Sequence, residues 1–538
     1  MKKILKLLIL FLSLFELSFA SNISILEKNI NENAKSFIEK TDLAIFYYTL
    51  SNVSNELSNE INANEKLNNI ISNNLKSEKI NNMEMFNKDF FYRQSILDNL
   101  YFGKRIGKKI PEKFKDLNWN ITNVDDDKGN IILNYIFKRI LNDLKYRKIN
   151  IKNMEKNIEI ELKNKPFYYG YFLTHIILYD SEFFSKNINI SPYYKIIKEL
   201  ENLVDYVIKN KEYDLGYELY MCLSYFQLFE NKEYKKLEKF LFKKNVFKDT
   251  ILKGDTHLKV VYGISYAMKY EYTPKEKGFI ESINGKIYYE VYGSKSKEEP
   301  LILISGGPGW SHEILYPLLN LSRKRQVILY DQIGTGKSNK VLTIENLSIN
   351  DYIIDLSNII QNLGLEKVSI LGHSWGTMVA IDYTLKYPKK VSKLILASPV
   401  ISASDWARDT KIKYNTLKSS DKDDEYTEKY LLKDLYKYMD YFIDFNENIY
   451  LKLWGESEYN INGWSKVYEK KEELNKIDKK VLITAGEFDE IYPETIKDWN
   501  NYLENSKYII FKNTRHVHYI EDRVNFINEV NNFLKEEN

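Results

Sequence analysis

A chain of 538 residues is longer than one ordinary hydrophobic core can organise, which implies two or more domains. Its 44% hydrophobic and 28% charged content is that of a soluble globular protein, and 78 basic against 75 acidic residues leave no basic excess for a nucleic-acid partner. The single cysteine, Cys222, excludes an intrachain disulfide and a cysteine-based metal cluster, and its apolar helical surroundings read as core.

The first element in chain order reads as a signal peptide over residues 1–20. Met1-Lys2-Lys3 is a basic start, Ile4 to Phe15 is mostly Leu, Ile and Phe, and Ser18-Phe19-Ala20 resembles a small-x-small cleavage site. The apolar stretch is short for a bilayer span, although an uncleaved membrane anchor is the alternative. No cysteine follows it, which excludes a lipoprotein anchor. The mature protein is expected to be exported, periplasmic or secreted, without stable membrane insertion after cleavage.

Residues 21–272 lack strand punctuation and read as an all-α domain. Lys198 to Ile208 carries apolar residues at three- and four-residue spacing, Asp214 to Phe229 repeats the pattern, and Tyr234 to Phe242 follows. Short helices with polar turns suggest stacked helical hairpins of no fixed period. Asn22 to Asn82, rich in Asn, Glu, Ser and Lys, reads as a loose helical arm. His175 and His257 read as buried or capping histidines. The role of this domain is not legible in its sequence.

The rhythm changes near Pro274, and residues 273–538 form the second predicted domain. Gly278 to Ile283 and Ile287 to Tyr292 alternate about Asn284-Gly285, a hairpin signal. Strands follow at Leu301 to Ile304, Gln326 to Tyr330, Lys367 to Leu371, Lys393 to Ala397, Lys480 to Ala485 and Lys507 to Phe511, with a helix over Ile349 to Asn362. Strands alternating with helices after an antiparallel hairpin predict an α/β fold with a mostly parallel sheet covered on both faces.

Gly372-His373-Ser374-Trp375-Gly376 lies between a strand and a helix, the setting of a nucleophile elbow. Side chains two residues either side of Ser374 would collide in so tight a turn, and the glycines meet that demand. A serine nucleophile needs a base and an acid to orient it, in the chain order serine, acid, histidine. Asp489 follows the strand ending near Ala485 and is the candidate acid. His516, after the next strand, is the candidate base, with His518 on the same loop as the competing choice. The candidate oxyanion donors are the backbone N–H groups of Trp375 and of Gly307, the latter in Ser305-Gly306-Gly307-Pro308-Gly309, where Pro308 has no N–H.

With these residues in view, the C-terminal half, from about Lys277 onward, resembles the proline iminopeptidase family of α/β-hydrolases, including the archaeal tricorn-interacting aminopeptidase. Gly306-Gly307-Pro308-Gly309 matches the family's H-G-G-P-G loop with Ser305 in place of the histidine. Tyr330-Asp331-Gln332-Ile333-Gly334-Thr335-Gly336-Lys337-Ser338 matches its Y-D-Q-x-G-x-G-x-S segment, and Gly486-Glu487-Phe488-Asp489-Glu490 its G-x-x-D-E segment. Glu521-Asp522 also fits, and this alignment puts the base at His516. The resemblance implies an α/β-hydrolase fold with a helical cap at about 403–478. It further implies that Glu458, in Trp454-Gly455-Glu456-Ser457-Glu458-Tyr459, and Glu490 receive the substrate's free amine. The family segment matching the former reads N-G-P-S-E-F, and the proline is missing here.

These readings converge on an exported serine aminopeptidase that releases N-terminal residues, proline preferred, from short peptides through an acyl-enzyme, with no metal or cofactor needed. Two alternatives stand beside it. One is an esterase or amidase of the same fold without amine recognition. The other is a binding protein whose helical half is the working part.

Overall fold

A computed structural model describes residues 21–82, 85, 89–111, 114, 128–338, 347–432 and 444–536. The segment read as a signal peptide, residues 1–20, lies outside the described residues. The chain divides into two compact units. One comprises the chain up to Asn187 together with Lys195–Glu271, and the other comprises Ile188–Tyr194 and the chain from Tyr272 onward.

The described part of the first unit is helical. Its N-terminal stretch is packed rather than loose: the helix Phe37–Val53 buries Leu43, Phe46, Tyr47, Leu50 and Val53 and contacts the helices Ala63–Lys76, Phe90–Arg105 and Thr256–Glu271. The asparagine-rich composition hides this apolar face, and the helix starts on a capping box in which Ser36 and Glu39 satisfy each other's backbone N–H. The Lys198 to Ile208 pattern is two helices, Tyr194–Asn202 and Val204–Asn210, meeting at Leu203. There the Leu203 N–H is shared between the Glu199 and Leu200 carbonyls at 3.2 Å each.

The two histidines of this unit meet one carboxylate pair. His175 Nδ1 lies 2.8 Å from the Tyr171 carbonyl and 3.6 Å from Glu218, while His257 Nδ1 lies 3.0 Å from Asp214. His257 is about half exposed and not buried; desolvation beside its partners works to lower the imidazole, but Asp214 and Glu218 outweigh it and push it up to about 10. His257 is thus an ion-paired cation, and Asp255 caps the same helix through Leu258 N–H. Cys222 is buried with its thiol toward the Thr174 carbonyl.

The second unit is built on an eight-stranded sheet: β1 (Glu276–Ser282), β2 (Gly285–Tyr292), β3 (Leu301–Ile304), β4 (Val327–Tyr330), β5 (Val368–His373), β6 (Val391–Ala397), β7 (Lys480–Gly486) and β8 (Ser506–Phe511). Their order is β1-β2-β4-β3-β5-β6-β7-β8; β2 is antiparallel to both neighbours, and every pair from β4 through β8 is parallel. The hairpin turn falls one residue earlier than its sequence signal, on Ile283-Asn284, because Ser282 pairs with Gly285 and the glycine opens β2. Strands β3 to β6 are buried throughout, as a parallel sheet covered on both faces requires. Among the covering helices, Ile349–Asn362 spans the residues read from the sequence, and Trp375–Lys386 follows β5 directly.

Between β6 and β7 lies the cap region, with helices Ala403–Asn415, Lys422–Tyr426 and Glu447–Leu453. Its segments grip the loops below. Tyr430 and Leu431 carbonyls accept from His516 and Val517 N–H, and Asn446 N–H donates to the Gly309 carbonyl. The segment Ile188–Tyr194 joins this unit through Arg523, which donates to the Ile188 carbonyl, and Asn189, which bonds Asp522 and Val524 N–H.

Candidate active site

At the C-terminal end of β5 the chain reverses so sharply that Ser374 sits at φ 52° and ψ −123°. A Cβ at Gly372 would lie 2.4 Å from the Gly376 carbonyl oxygen, and one at Gly376 would lie 2.4 Å from that of Ile304, so backbone fills both sides of the turn. The strain is held by Ser374 N–H donating to Ala397 O at 2.9 Å and by the Thr377 hydroxyl donating to Ser374 O at 2.6 Å. The Ser374 hydroxyl makes no hydrogen bond among the described residues. It faces a cavity of about 300 Å³ that is also lined by Gly306, Gly307, His516, Glu458 and Tyr450.

His516 Nδ1 lies 2.8 Å from Asp489 Oδ1, which fixes that nitrogen as the N–H donor and turns Nε2 away from the acid. Asp489 is fully buried, and its other donors are Glu490 N–H at 2.7 Å, Gly486 N–H at 3.3 Å and the Ser398 hydroxyl at 2.6 Å. Burial alone would raise its carboxyl, but His516 and the Ser398 hydroxyl hold it well below the ordinary aspartate range. Burial also works to lower His516, yet Asp489, Glu490 and Glu458 together push it up to about 9. His518 is the other loop histidine, and it points elsewhere: Nε2 meets the Thr484 hydroxyl at 2.9 Å and Nδ1 meets Ser398 at 3.2 Å. Of the two loop histidines, His516 is the one that lines the cavity with Ser374.

The two glutamates converge on the same place. Glu490 is fully buried, neither of its carboxylate oxygens has a hydrogen-bond partner among the described residues, and Oε2 lies 3.6 Å from His516 Nε2. Glu458 lines the cavity and accepts from the Tyr450 hydroxyl at 2.9 Å. Burial raises both carboxyls, and Glu458 raises Glu490 further. Around them, the Trp406 and Trp454 indole N–H groups and the Tyr426 hydroxyl are buried without a hydrogen bond among the described residues. This is an electronegative chamber with unused polar groups beside a nucleophile and a base.

Trp375 begins its helix, so its backbone N–H has no carbonyl four residues back within the helix, and Gly306-Gly307 form another part of the cavity lining. Gln332 braces the glycine-rich loop: its Nε2 donates to Ser305 O at 2.8 Å and to Ser305 Oγ at 3.0 Å, and its Oε1 accepts from the Trp375 indole at 3.1 Å. Ser305 therefore answers the same glutamine that supports the elbow tryptophan.

Three residues of the site escaped sequence reading. His373 donates Nε2–H to the His516 carbonyl at 3.1 Å; it is the variable position of the elbow motif, which carries no signal of its own. Lys413, on the first cap helix, donates to the Asp489 carbonyl and lies over the Tyr492 ring at 4.1 Å. Burial lowers its amine to about 8. His312 opens the 3₁₀ segment His312–Arg323, whose sequence carries no catalytic signature. It is fully buried, with Nδ1 2.7 Å from Asp331 and Nε2 3.3 Å from Glu290. Burial opposes its charge, but Asp331 and Glu290 raise it to about 10, so it clamps the Asp331-to-Lys337 loop that carries Gln332. Among the described residues no group of three or more His, Cys, Asp or Glu side chains is placed to hold a metal ion.

Fold and site define an α/β-hydrolase: the model of the alpha/beta hydrolase fold family matches residues 299–523. The proline iminopeptidase of Heyndrickxia coagulans is 31% identical over 282 residues, covering 48% of this chain and 98% of the relative. That of Clostridioides difficile (strain 630) is 28% identical over 285 residues, covering 48% and 97%. The Lactobacillus crispatus (strain ST1) enzyme is 31% identical over 290 residues, covering 47% and 99%. Through its C-terminal half, the chain belongs to the proline iminopeptidase family of α/β-hydrolases. A crystal structure of proline iminopeptidase from Mycobacterium smegmatis has 20% identity and a TM-score of 0.44, covering 48% of this chain and 97% of that one.

Proposed function

We propose that this protein is an exported serine aminopeptidase that releases N-terminal residues, proline preferred, from short peptides through an acyl-enzyme. The observation that carries the reading is Glu490, a fully buried carboxylate that makes no hydrogen bond among the described residues, beside Glu458 and with Oε2 3.6 Å from His516 Nε2. A carboxylate buried without hydrogen bonds, facing that imidazole and a second carboxylate, favours the arrival of a cation. An N-terminal proline is a secondary ammonium with two N–H donors, one for each glutamate. Curated relatives bearing the proline iminopeptidase name support the same chemistry.

With the ammonium held there, the first carbonyl of the peptide lies between Ser374 and the N–H groups of Trp375 and Gly307. Ser374 Oγ bonds to the carbonyl carbon as its proton passes to His516 Nε2, and the oxyanion is held by the two N–H groups. His516 then protonates the leaving amine, the C–N bond breaks, and an ester to Ser374 remains. Water repeats the sequence with His516 as base and frees the amino acid. Asp489 keeps the imidazole oriented and stabilises its cationic form. A cap over the cavity favours short peptides and excludes water. Export rests on the N-terminal sequence; N-terminal sequencing of native protein is expected to start near Ser21, and an intact Met1 in a cytoplasmic fraction would count against it.

The decisive test compares proline amide with an N-acetylproline ester. The free-amine substrate is expected to turn over well and the blocked ester poorly. Ready cleavage of the blocked ester would favour an esterase without amine recognition.

A further inference from the structure

At Asp489 Oδ2, the oxygen that does not hold the His516 imidazole, lies a run of polar groups that this chemistry does not itself use. Ser398 follows β6 at φ 47°, a conformation unfavourable for any residue with a side chain, and it is fully buried. Its hydroxyl lies 2.6 Å from Asp489 Oδ2, 2.7 Å from the His516 carbonyl and 3.2 Å from His518 Nδ1. His518 is also fully buried, with Nε2 2.9 Å from the Thr484 hydroxyl. Burial lowers this imidazole to about 4 against the pull of Asp489, so it is neutral at ordinary pH and carries one N–H.

The proton count allows one consistent order. If His518 Nδ1 were bare, the Ser398 proton would turn toward it. The serine oxygen would then face a carboxylate and a carbonyl, both acceptors, with no hydrogen between them. The alternative satisfies every group. Thr484 donates to Nε2, Nδ1–H points between Ser398 Oγ at 3.2 Å and the His516 carbonyl at 3.4 Å, and the Ser398 proton lies between Asp489 Oδ2 and the His516 carbonyl. The bond to Asp489 is charge-assisted and short. One hydroxyl thereby links the acid to the main chain of the base.

We propose that Ser398 and His518 are positioning residues for the Ser374, His516 and Asp489 set: His518 orients the Ser398 hydroxyl, which pins Asp489 Oδ2 and the His516 carbonyl so that Oδ1 stays on His516 Nδ1. This rests on the reading of that set as a serine hydrolase site. His516 is also faced by Glu490, Glu458 and the ring of His373, Lys413 touches the Asp489 carbonyl, and Asp522 lies near His518. All of these remain in the variants below.

The test is the rate at which a fluorophosphonate labels Ser374 in the full chain, as a function of pH. Labelling forms the serine O–P bond, breaks P–F, releases fluoride and passes the serine proton to His516, without peptide recognition. The wild-type rate is expected to rise as His516 loses its proton. Ser398→Gly removes the hydroxyl and suits the positive φ. Its loss leaves the Asp489 charge less dispersed, so the imidazolium holds its proton more tightly. The limb is expected to move to higher pH by roughly 0.5–1 unit, and the plateau to fall about tenfold, as when an outer partner of a functional histidine is lost. His518→Leu is expected to move the limb the same way by less, and His518→Asn, which keeps an N–H donor, to return it toward wild type. Ser398→Ala serves if the glycine variant does not fold, with thermal unfolding reporting the fold in each case. A limb unmoved in folded Ser398 and His518 variants overturns the proposal, even if the plateau falls. A wild type unlabelled at every pH overturns the serine hydrolase reading with it. A labelled wild type that ignores free-amine substrates overturns only the aminopeptidase reading.

Discussion

Two neighbouring strands end alike and differ in use. Ser374 after β5 and Ser398 after β6 both sit in the left-handed region, at φ 52° and 47°, and both are buried. The Ser374 hydroxyl has no hydrogen bond among the described residues and faces a cavity, whereas Ser398 Oγ lies within bonding distance of Asp489, His516 and His518. Backbone strain at a strand end is thus not itself a sign of a nucleophile. What separates the two is whether the hydroxyl's neighbours consume its proton or leave it for substrate. The two loop histidines repeat the contrast, with His516 beside the cavity and His518 behind the acid.

The sharpest break of the comparison is removal of each cavity-side member. Ser374→Ala is expected to abolish turnover, by roughly a millionfold where the serine and its base act as a unit, with the fold retained. More than a few per cent residual activity in uncontaminated protein would remove Ser374 as nucleophile. His516→Ala is expected to be as damaging and His518→Ala much milder, measured as kcat/KM on proline amide. The reverse order would exchange their roles.

Next in size is the amine chamber. Glu490→Gln or Glu458→Gln is expected to cost about 2–5 kcal/mol in transition-state binding of proline amide, the loss when one partner of a buried charge pair is removed, and little for an N-acetylated ester. Equal loss on both substrates would make Glu490 a support for Asp489 alone. The same substitution has a pH signature. Activity requires neutral His516, so it rises with pH through the imidazole, held near 9 with Asp489, Glu490 and Glu458 around it. It falls again as the substrate amine deprotonates. Removing a carboxylate lowers the imidazole, so the acidic limb in Glu490→Gln should move to lower pH. A limb that moves upward would contradict the electrostatic account.

The smallest effect sharpens the comparison most directly. Ser374→Gly relieves positive φ and loses no hydrogen bond, so thermal unfolding should show a gain of up to about 1 kcal/mol. Ser398→Gly obtains the same relief but loses a bond to a buried carboxylate, about 1.5–3 kcal/mol, and should be the less stable of the two. Equal stabilisation of both would mean that the Ser398 hydroxyl contributes nothing.

Much was determined by the sequence alone, because the decisive signals are local. Four-residue apolar runs such as Leu301–Ile304 and glycines two residues either side of Ser374 each state a backbone demand within a few positions. The chain order of Ser374, Asp489 and His516 then follows from strand alternation, and family motifs pointed to Glu458 and Glu490. Tertiary structure decided what depends on distant neighbours. The Asn22 to Asn82 stretch packs because Phe46 and Leu50 find other helices, which composition does not disclose. His518 is turned toward Thr484 and Ser398, residues 34 and 120 positions away in the chain. Glu490 is buried without a hydrogen-bond partner among the described residues, and His312 is charged because Glu290 and Asp331 meet it in the core. Conformation is dictated by near residues through sterics and backbone hydrogen bonds, but the protonation and freedom of a buried polar group depend on every charge and donor that folding brings within a few ångströms.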